Sequence, residues 1–154
     1  MHNIFSDRIA DVPRSFIRDI LKVAVQEDVI SFAGGLPNRN LFPIEQLQES
    51  TNKVFKNFGR QALQYAESEG LLQLRQYIAN DYKIKKGIAV DPNKIIITNG
   101  SQQGLDLLAK VILNEGEDVV LEKPAYLGAI QAFSVFKARF TQVKLNKDGI
   151  DCDL

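Results

Sequence analysis

"IIITNGSQQGLDLLAKVIL", residues 95–113, runs from three isoleucines through a small polar turn into leucines and a valine at helical spacing. Three consecutive β-branched residues read as a strand covered on both faces, and the leucine periodicity after the turn reads as a helix. A strand feeding directly into a helix through Asn99, Gly100, Ser101 and Gln102 aims backbone N–H groups and a hydroxyl at one place. The first amides of a helix have no carbonyl partner within it, and the aligned peptide dipoles add partial positive charge there, so the turn suits an anion such as phosphate. The plain alternative is an ordinary helix N-cap, since such residues start most helices. The turn lacks the Gly-Lys-Ser/Thr ending of a Walker loop and the three-glycine spacing of a dinucleotide fingerprint.

Beyond residue 90 the same texture recurs. "DVVLEKP" (118–124) and "RFTQVKL" (139–145) read as strands, and the intervening stretches Gln102 to Asn114 and Tyr126 to Phe136 as helices, giving β-α-β-α-β. This is an α/β pattern with a mixed, mostly parallel sheet. The alternation in "RFTQVKL" places that strand nearer an edge. Tyr126 stands where the second strand gives way to a helix, a position that converges on the ligand crevice in open α/β sheets. Its ring could stack on a flat cofactor or simply cap the core.

Upstream, the pattern is helical. "RSFIRDILKVAVQ" (14–26) sets Phe16, Ile17, Ile20, Leu21, Ala24 and Val25 on one side. "PIEQLQESTNKVFKNF" (43–58) carries the stripe Ile44, Leu47, Val54, Phe55 and Phe58, and "GLLQLRQYIANDYKIKKG" (70–87) carries Leu71, Leu74, Ile78 and Tyr82 before stopping at Gly87. Between the first two lies "VISFAGGLPNRNLFP" (29–43), with the composition of an ordered loop. Gly34 and Gly35 there could bring an N–H close to a ligand carboxylate, or merely turn the chain before Pro37. Arg14 and Arg18 could meet an acidic ligand or face solvent. These readings divide the chain into an N-terminal helix and loop, residues 1–43, and residues 44–154, which the family resemblance carried by the motifs below implies to be an incomplete large domain.

Composition narrows the partners. The 154 residues are 45% apolar, enough for one ordinary core. Nineteen basic and nineteen acidic side chains cancel, which argues against nucleic acid and anionic membrane surfaces. Cys152 and His2 are the single cysteine and histidine, so neither an internal disulfide nor a metal cluster is expected. No apolar run approaches a membrane span, and "MHNIFSDRIADVPR" (1–14) lacks the apolar stretch of a secretory signal; a soluble, cytoplasmic protein is expected.

Taken in order and spacing, "SFAGGLP", "LQYAESEGLLQLR", "IIITNGSQQGLDLLAKVIL" and "VVLEKPAYLGAIQAF" resemble the N-terminal part of fold-type I, pyridoxal-phosphate-dependent class I/II aminotransferases. Within that family the likeness is to the branch of 2-aminoadipate aminotransferases and broad-specificity relatives, and it runs from about Pro13 to the end of the chain. The resemblance implies pyridoxal 5'-phosphate as cofactor, amino acid and 2-oxo acid substrates, and a homodimer with shared sites. It assigns Gly100, Ser101 and Gln102 to the cofactor phosphate, Tyr126 to a stack on the pyridine ring, and Tyr65 to the phosphate bound by a partner subunit. It sets Gly35 beside the substrate carboxylate and gives Arg18 an acidic substrate side chain. Gly104 stands where the family usually has alanine, and Asn99 where serine or threonine is common.

The family's catalytic lysine lies downstream of anything in these residues, and neither Lys110 nor Lys123 stands in a matching context, so no catalytic residue is assigned. The expectation is a partial aminotransferase, inactive alone, whose truncated sheet would expose apolar surface. Two other readings remain: a non-catalytic dimerisation or interaction module, and part of the effector domain of an aminotransferase-like transcription regulator.

Overall fold

The computed structural model describes residues 35–150 together with Ile4, Ser6, Arg8 and Phe32. The helix expected over 14–26, with Arg14 and Arg18, and the residues Gly34, His2 and Cys152 lie outside the described residues. The described chain divides into two compact units at Ile97 and Thr98.

Residues 35–97 are helical. A 3-10 turn, Arg39–Leu41, is capped by Asn38, whose Oδ1 accepts the Asn40 N–H at 3.0 Å. Helix α1, Ile44–Ala62, begins after Pro43, with Glu45 in its first turn and Arg60 in its last, each complementing the helix dipole. Its expected apolar stripe is present and exposed, and Phe58 departs from helical geometry at φ −136° and ψ 16°, marking a kink. Helix α2, Leu72–Lys86, ends as its sequence predicts: Gly87 takes φ 69° and ψ 14°, and its N–H donates to the Lys83 carbonyl at 3.1 Å. A residue without Cβ pays no steric cost there. A second 3-10 turn, Pro92–Lys94, is capped by Asp91 through the Asn93 N–H at 2.9 Å.

A buried charge ties this unit together. Arg75 on α2 is only 5% exposed; its Nε donates to the Gly70 carbonyl at 3.0 Å, its Nη1 to the Pro92 carbonyl at 3.1 Å, and its Nη2 to the Glu67 carboxylate. Burial of a guanidinium is tolerable only when its donors are matched in this way. The loop before α2 is held again where the Ile97 N–H donates to the Glu69 carbonyl at 2.9 Å. Gly70, at φ 97°, lies so close to Ile97 that a Cβ would sit 2.5 Å from Ile97 Cγ1.

Residues 98–150 are α/β. Helix α3, Ser101–Ile112, is followed by strand β1, Asp118–Lys123, helix α4, Leu127–Ser134, and strand β2, Arg139–Asn146. Strands β1 and β2 pair in parallel from Asp118 opposite Arg139 to Lys123 opposite Lys144. A two-residue strand β3, Gly149–Ile150, turns back antiparallel on Leu145 and Asn146, so the sheet order is β1-β2-β3 and the sheet is mixed. Helices α3 and α4 pack together, and the buried apolar side chains are small: Ala109, Ala129 and Ala132 on the helices and Val143 on β2. Small residues let the helix backbones approach closely.

Two expectations shift in detail. Ile95 is extended, at φ −109° and ψ 130°, but residues 95–97 pair with no described strand; the hydrogen bond from Ile97 goes to the loop at Glu69 instead. An apolar β-branched run fixes an extended backbone, whereas its place in a sheet depends on which edge is offered to it. Strand β2, whose alternation predicts a place nearer an edge, lies between β1 and β3 in the three-strand order, though over Arg139–Lys144 it pairs with β1 alone. Among the described residues no helix is long and apolar enough to cross a membrane.

Candidate functional site

The turn before α3 is built by the backbone. Gly100 occupies the N-cap position at φ 82° and ψ 172°, a region essentially closed to residues with a Cβ. Thr98 secures it twice: the Gly100 N–H donates to the Thr98 carbonyl at 2.9 Å, and Thr98 Oγ1 donates to the Gly100 carbonyl at 3.1 Å. The Asn99 N–H is taken by Gln103 Oε1, reaching back from the first turn at 2.5 Å.

The start of the helix carries no side-chain cap. A side-chain cap would place an oxygen on the N–H groups of Gln102 or Gln103, and no side chain does so. Among the described residues nothing accepts from the N–H groups of Ser101, Gln102 and Gln103, and the Ser101 side chain is exposed. The first backbone acceptor within the turn is the Gly100 carbonyl, which takes the Gly104 N–H at 3.4 Å. Among the described residues, no atom beyond the adjoining Asn99 and Ser101 lies within 4 Å of where a Gly100 Cβ would stand. Three donors, a hydroxyl and open space thus meet at the positive end of a twelve-residue helix.

Helix α4 starts beside it. Tyr126 is its N-cap residue, at φ −72° and ψ 117°, following the strand β1 and the cis Lys123–Pro124 peptide. The Gln102 side chain crosses from α3, its Nε2 donating to the Gly128 carbonyl at 3.0 Å. Gln102 therefore presents only its backbone N–H to the turn, and its amide joins the two helix starts. Tyr126 is 61% exposed, so it offers solvent an aromatic surface next to the donor cluster.

Gly100, Ser101, Gln102 and Tyr126 are thus brought together within residues 98–150. Tyr65 and Gly35 belong to the other unit. Tyr65 lies in the loop between α1 and α2 with its side chain fully exposed, and its N–H donates to Gln64 Oε1 at 2.9 Å. Gly35 has φ 56° and nothing within 4 Å of a would-be Cβ. Arg18 lies outside the described residues.

Sequence reading passed over Thr98, Gln103 and Gly128, which hold the site's parts in place, and Arg75, which holds the loop carrying Tyr65. Arg75 did leave a signal: it stands four residues after Leu71 and three before Ile78, on the stripe otherwise filled by apolar side chains.

Charged groups elsewhere in this unit pair off at its surface. The Arg139 guanidinium, bonded to Asp118 at 2.8 and 2.9 Å, holds the Asp118 carboxyl below the ordinary carboxylate range. Lys137 does the same to Glu115 across 2.6 Å, and Asn114 lowers Glu117 through its side-chain amide and its backbone N–H.

Comparison with known proteins bears on all of this. Residues 27–154 match the family described as Aminotransferase class I and II. A 2-aminoadipate transaminase of Thermus thermophilus is 43% identical over 142 residues, covering 92% of this chain and 34% of the relative. Aromatic-amino-acid aminotransferase 1 of Thermococcus litoralis is 39% identical over 150 residues, covering 97% of this chain and 36% of that protein. Among solved structures, LysN, the alpha-aminoadipate aminotransferase of Thermus thermophilus complexed with N-(5'-phosphopyridoxyl)-L-leucine, superposes with a TM-score of 0.81 at 42% identity, over 97% of this chain and 36% of that one. The chain spans about a third of the length of the relatives it matches.

Proposed function

The chain belongs to the class I and II aminotransferase family, and from that premise we propose that residues 98–150 hold pyridoxal 5'-phosphate for transfer of an amino group from an amino acid to a 2-oxo acid. Family membership implies the cofactor, and the residues present fit it. A dianionic phosphate needs several convergent donors without competing acceptors, which the start of α3 offers through the N–H groups of Ser101, Gln102 and Gln103 and the Ser101 hydroxyl. A flat pyridine ring needs an accessible aromatic face beside the phosphate, and Tyr126 offers one. When bound, the cofactor supplies an electron sink for the chemistry at the substrate carbon. The chain's own contribution is to bind and orient it: Gly100 admits the phosphate to the backbone, Ser101 adds a neutral donor, and Tyr126 fixes the tilt of the ring.

The open helix start is the single observation that carries this reading. We assign the rest of the site from the family pattern: Gly35 beside the substrate carboxylate, Arg18 toward an acidic substrate side chain, and Tyr65 toward the phosphate of a partner subunit in a cytoplasmic homodimer. The complete exposure of the Tyr65 side chain supports the last, because a tyrosine with neither packing nor a hydroxyl partner is ready for an intermolecular contact. Apolar side chains are exposed in each unit as well, Phe55 and Phe58 in one and Val111 and Ile112 in the other, and each such patch calls for cover by further protein. No lysine here stands in the family's catalytic motif, so these 154 residues bind and position but do not turn over alone.

Pyridoxamine 5'-phosphate is the probe of choice, because it lacks the aldehyde that reacts with any surface lysine. Titration into the chain should give saturable quenching of tyrosine fluorescence, and Ser101→Ala should weaken binding by about tenfold to a hundredfold, the loss of one hydrogen bond to a charged group. Absence of saturable binding by the unaltered chain rejects the reading; an unchanged Kd in Ser101→Ala removes that hydroxyl from the phosphate site.

A further inference from the structure

We propose that Gly128 is a positioning residue for the cofactor-stacking ring, a role that rests on the reading just given. Gly128 lies in the first turn of α4, where nothing about its backbone demands glycine: it is helical, and glycine in a helix is destabilising relative to alanine. The reason lies in the space a side chain would fill. A Cβ at Gly128 would stand 2.6 Å from Cε1 and 2.7 Å from Cζ of Tyr126, and 2.6 Å from Oε1 of Gln102. Non-bonded carbons rest at about 3.5–4.0 Å, so even a methyl group requires both neighbours to move.

The two neighbours are the ones that matter to the site. Tyr126 lies across the missing side chain, and Gln102, whose backbone N–H opens α3, reaches over with its amide on the Gly128 carbonyl at 3.0 Å. The absence of a Cβ is therefore what lets a ring from one helix start and an amide from the other share one place. It registers the aromatic surface against the phosphate donors. Because Tyr126 is 61% exposed, its ring has room to swing outward when crowded. Gly128→Ala is then expected to leave the fold intact, and even to favour α4, while moving the ring away from the cofactor.

The test is made on the 154-residue chain with pyridoxamine 5'-phosphate. Gly128→Ala should raise the Kd about tenfold, the scale of one lost aromatic stack, with an unchanged or higher urea midpoint. Gly104→Ala is the control: the same methyl group at a helical glycine with space, its Cβ 3.8 Å from Thr98 Oγ1, should leave Kd as it is. If Gly128 acts through the ring, the loss should vanish in a Tyr126→Leu background, where Gly128→Ala adds nothing. Equal affinity of Gly128→Ala and the unaltered chain overturns the inference, as does an undiminished loss in the Tyr126→Leu background. Failure of the unaltered chain to bind would instead reject the cofactor reading, and the inference with it.

Discussion

Among the described residues, the most buried side chain in residues 35–97 is a charge, Arg75 at 5% exposure, whereas in residues 98–150 it is a methyl group, Ala109 at 0%. The first unit is held by one long side chain whose bonds reach Gly70, Glu67 and Pro92, up to seventeen residues away. The second is held by a parallel strand pair and by alanines that let α3 and α4 pack closely. A clasp of the first kind fails all at once when its centre is removed, because three acceptors lose their donor together. Packing of the second kind spreads the load over many small contacts, which leaves backbone and helix ends free to shape a binding site.

The difference is sharpest at Arg75. Arg75→Met keeps most of the unbranched stem of the side chain but strips the donors from two carbonyls and a carboxylate, at a cost of about 3 kcal/mol. Amide exchange followed by NMR should show the loss in residues 35–97, with the protection of β1 and β2 preserved. Equal loss in both units would show that they unfold as one.

Gly100→Ala should rank next. Its φ of 82° with ψ of 172° is closed to alanine, and since no atom crowds the new Cβ, the whole cost of about 1–3 kcal/mol is conformational. The chain relieves it by turning the peptide, which disorders the donors at the start of α3. Affinity for pyridoxamine 5'-phosphate should fall with stability, and retention of both would mean that the turn does not need its left-handed backbone.

The same contrast explains what could be read from sequence. The stop of α2 at Gly87, the stripe on α1 and the turn into a helix at Gly100 are local: propensity, periodicity and a glycine decide them within a few residues. The placement of Ile95 to Ile97 is not local. The extended backbone at Ile95 follows from its side chain, but the partner of the Ile97 N–H, the Glu69 carbonyl, is set by the loop that Arg75 clasps. Gln102 is legible as part of the turn before α3 only through its backbone; the use of its side chain on Gly128, twenty-six residues on, needs α4 in place. The α/β order and the donors of the site were written locally, and the side chains that align them were written in tertiary contacts.

A smaller and opposite effect is expected at Gly104. An alanine there meets only Thr98 Oγ1 at 3.8 Å, so the helix gains propensity without a clash. Gly104→Ala should stabilise α3 by about 0.5–1 kcal/mol, read as a higher urea midpoint. A destabilised variant would show that the turn at Thr98 is tighter than its geometry implies.

The least effect is expected from pH, and it should divide the two units. In residues 98–150 the carboxyls of Glu115, Glu117 and Asp118 are all held below their ordinary values by hydrogen bonds from Lys137, Asn114 and Arg139. A group whose folded pKa is depressed contributes stability that is fully present above its unfolded value, about 4, and is lost as pH falls through the folded one. In residues 35–97 the resolved shift is the reverse: Asp81 raises Lys85 across 2.8 Å, so that contribution is present below the ordinary lysine value and lost as pH rises through the folded one. All of these groups are at the surface, where water and salt screen them, so the dependence should be shallow and should fade in 1 M salt, where the screening length is about 3 Å. Acid should therefore loosen β1 and β2 before α2, and alkali α2 before the strands. Asp118→Asn should flatten the acid side for residues 98–150 alone, since Asp118 and Arg139 face each other across the first rung of the parallel pair. An acid response unchanged by that substitution would leave the rung without a part in holding the two strands in register.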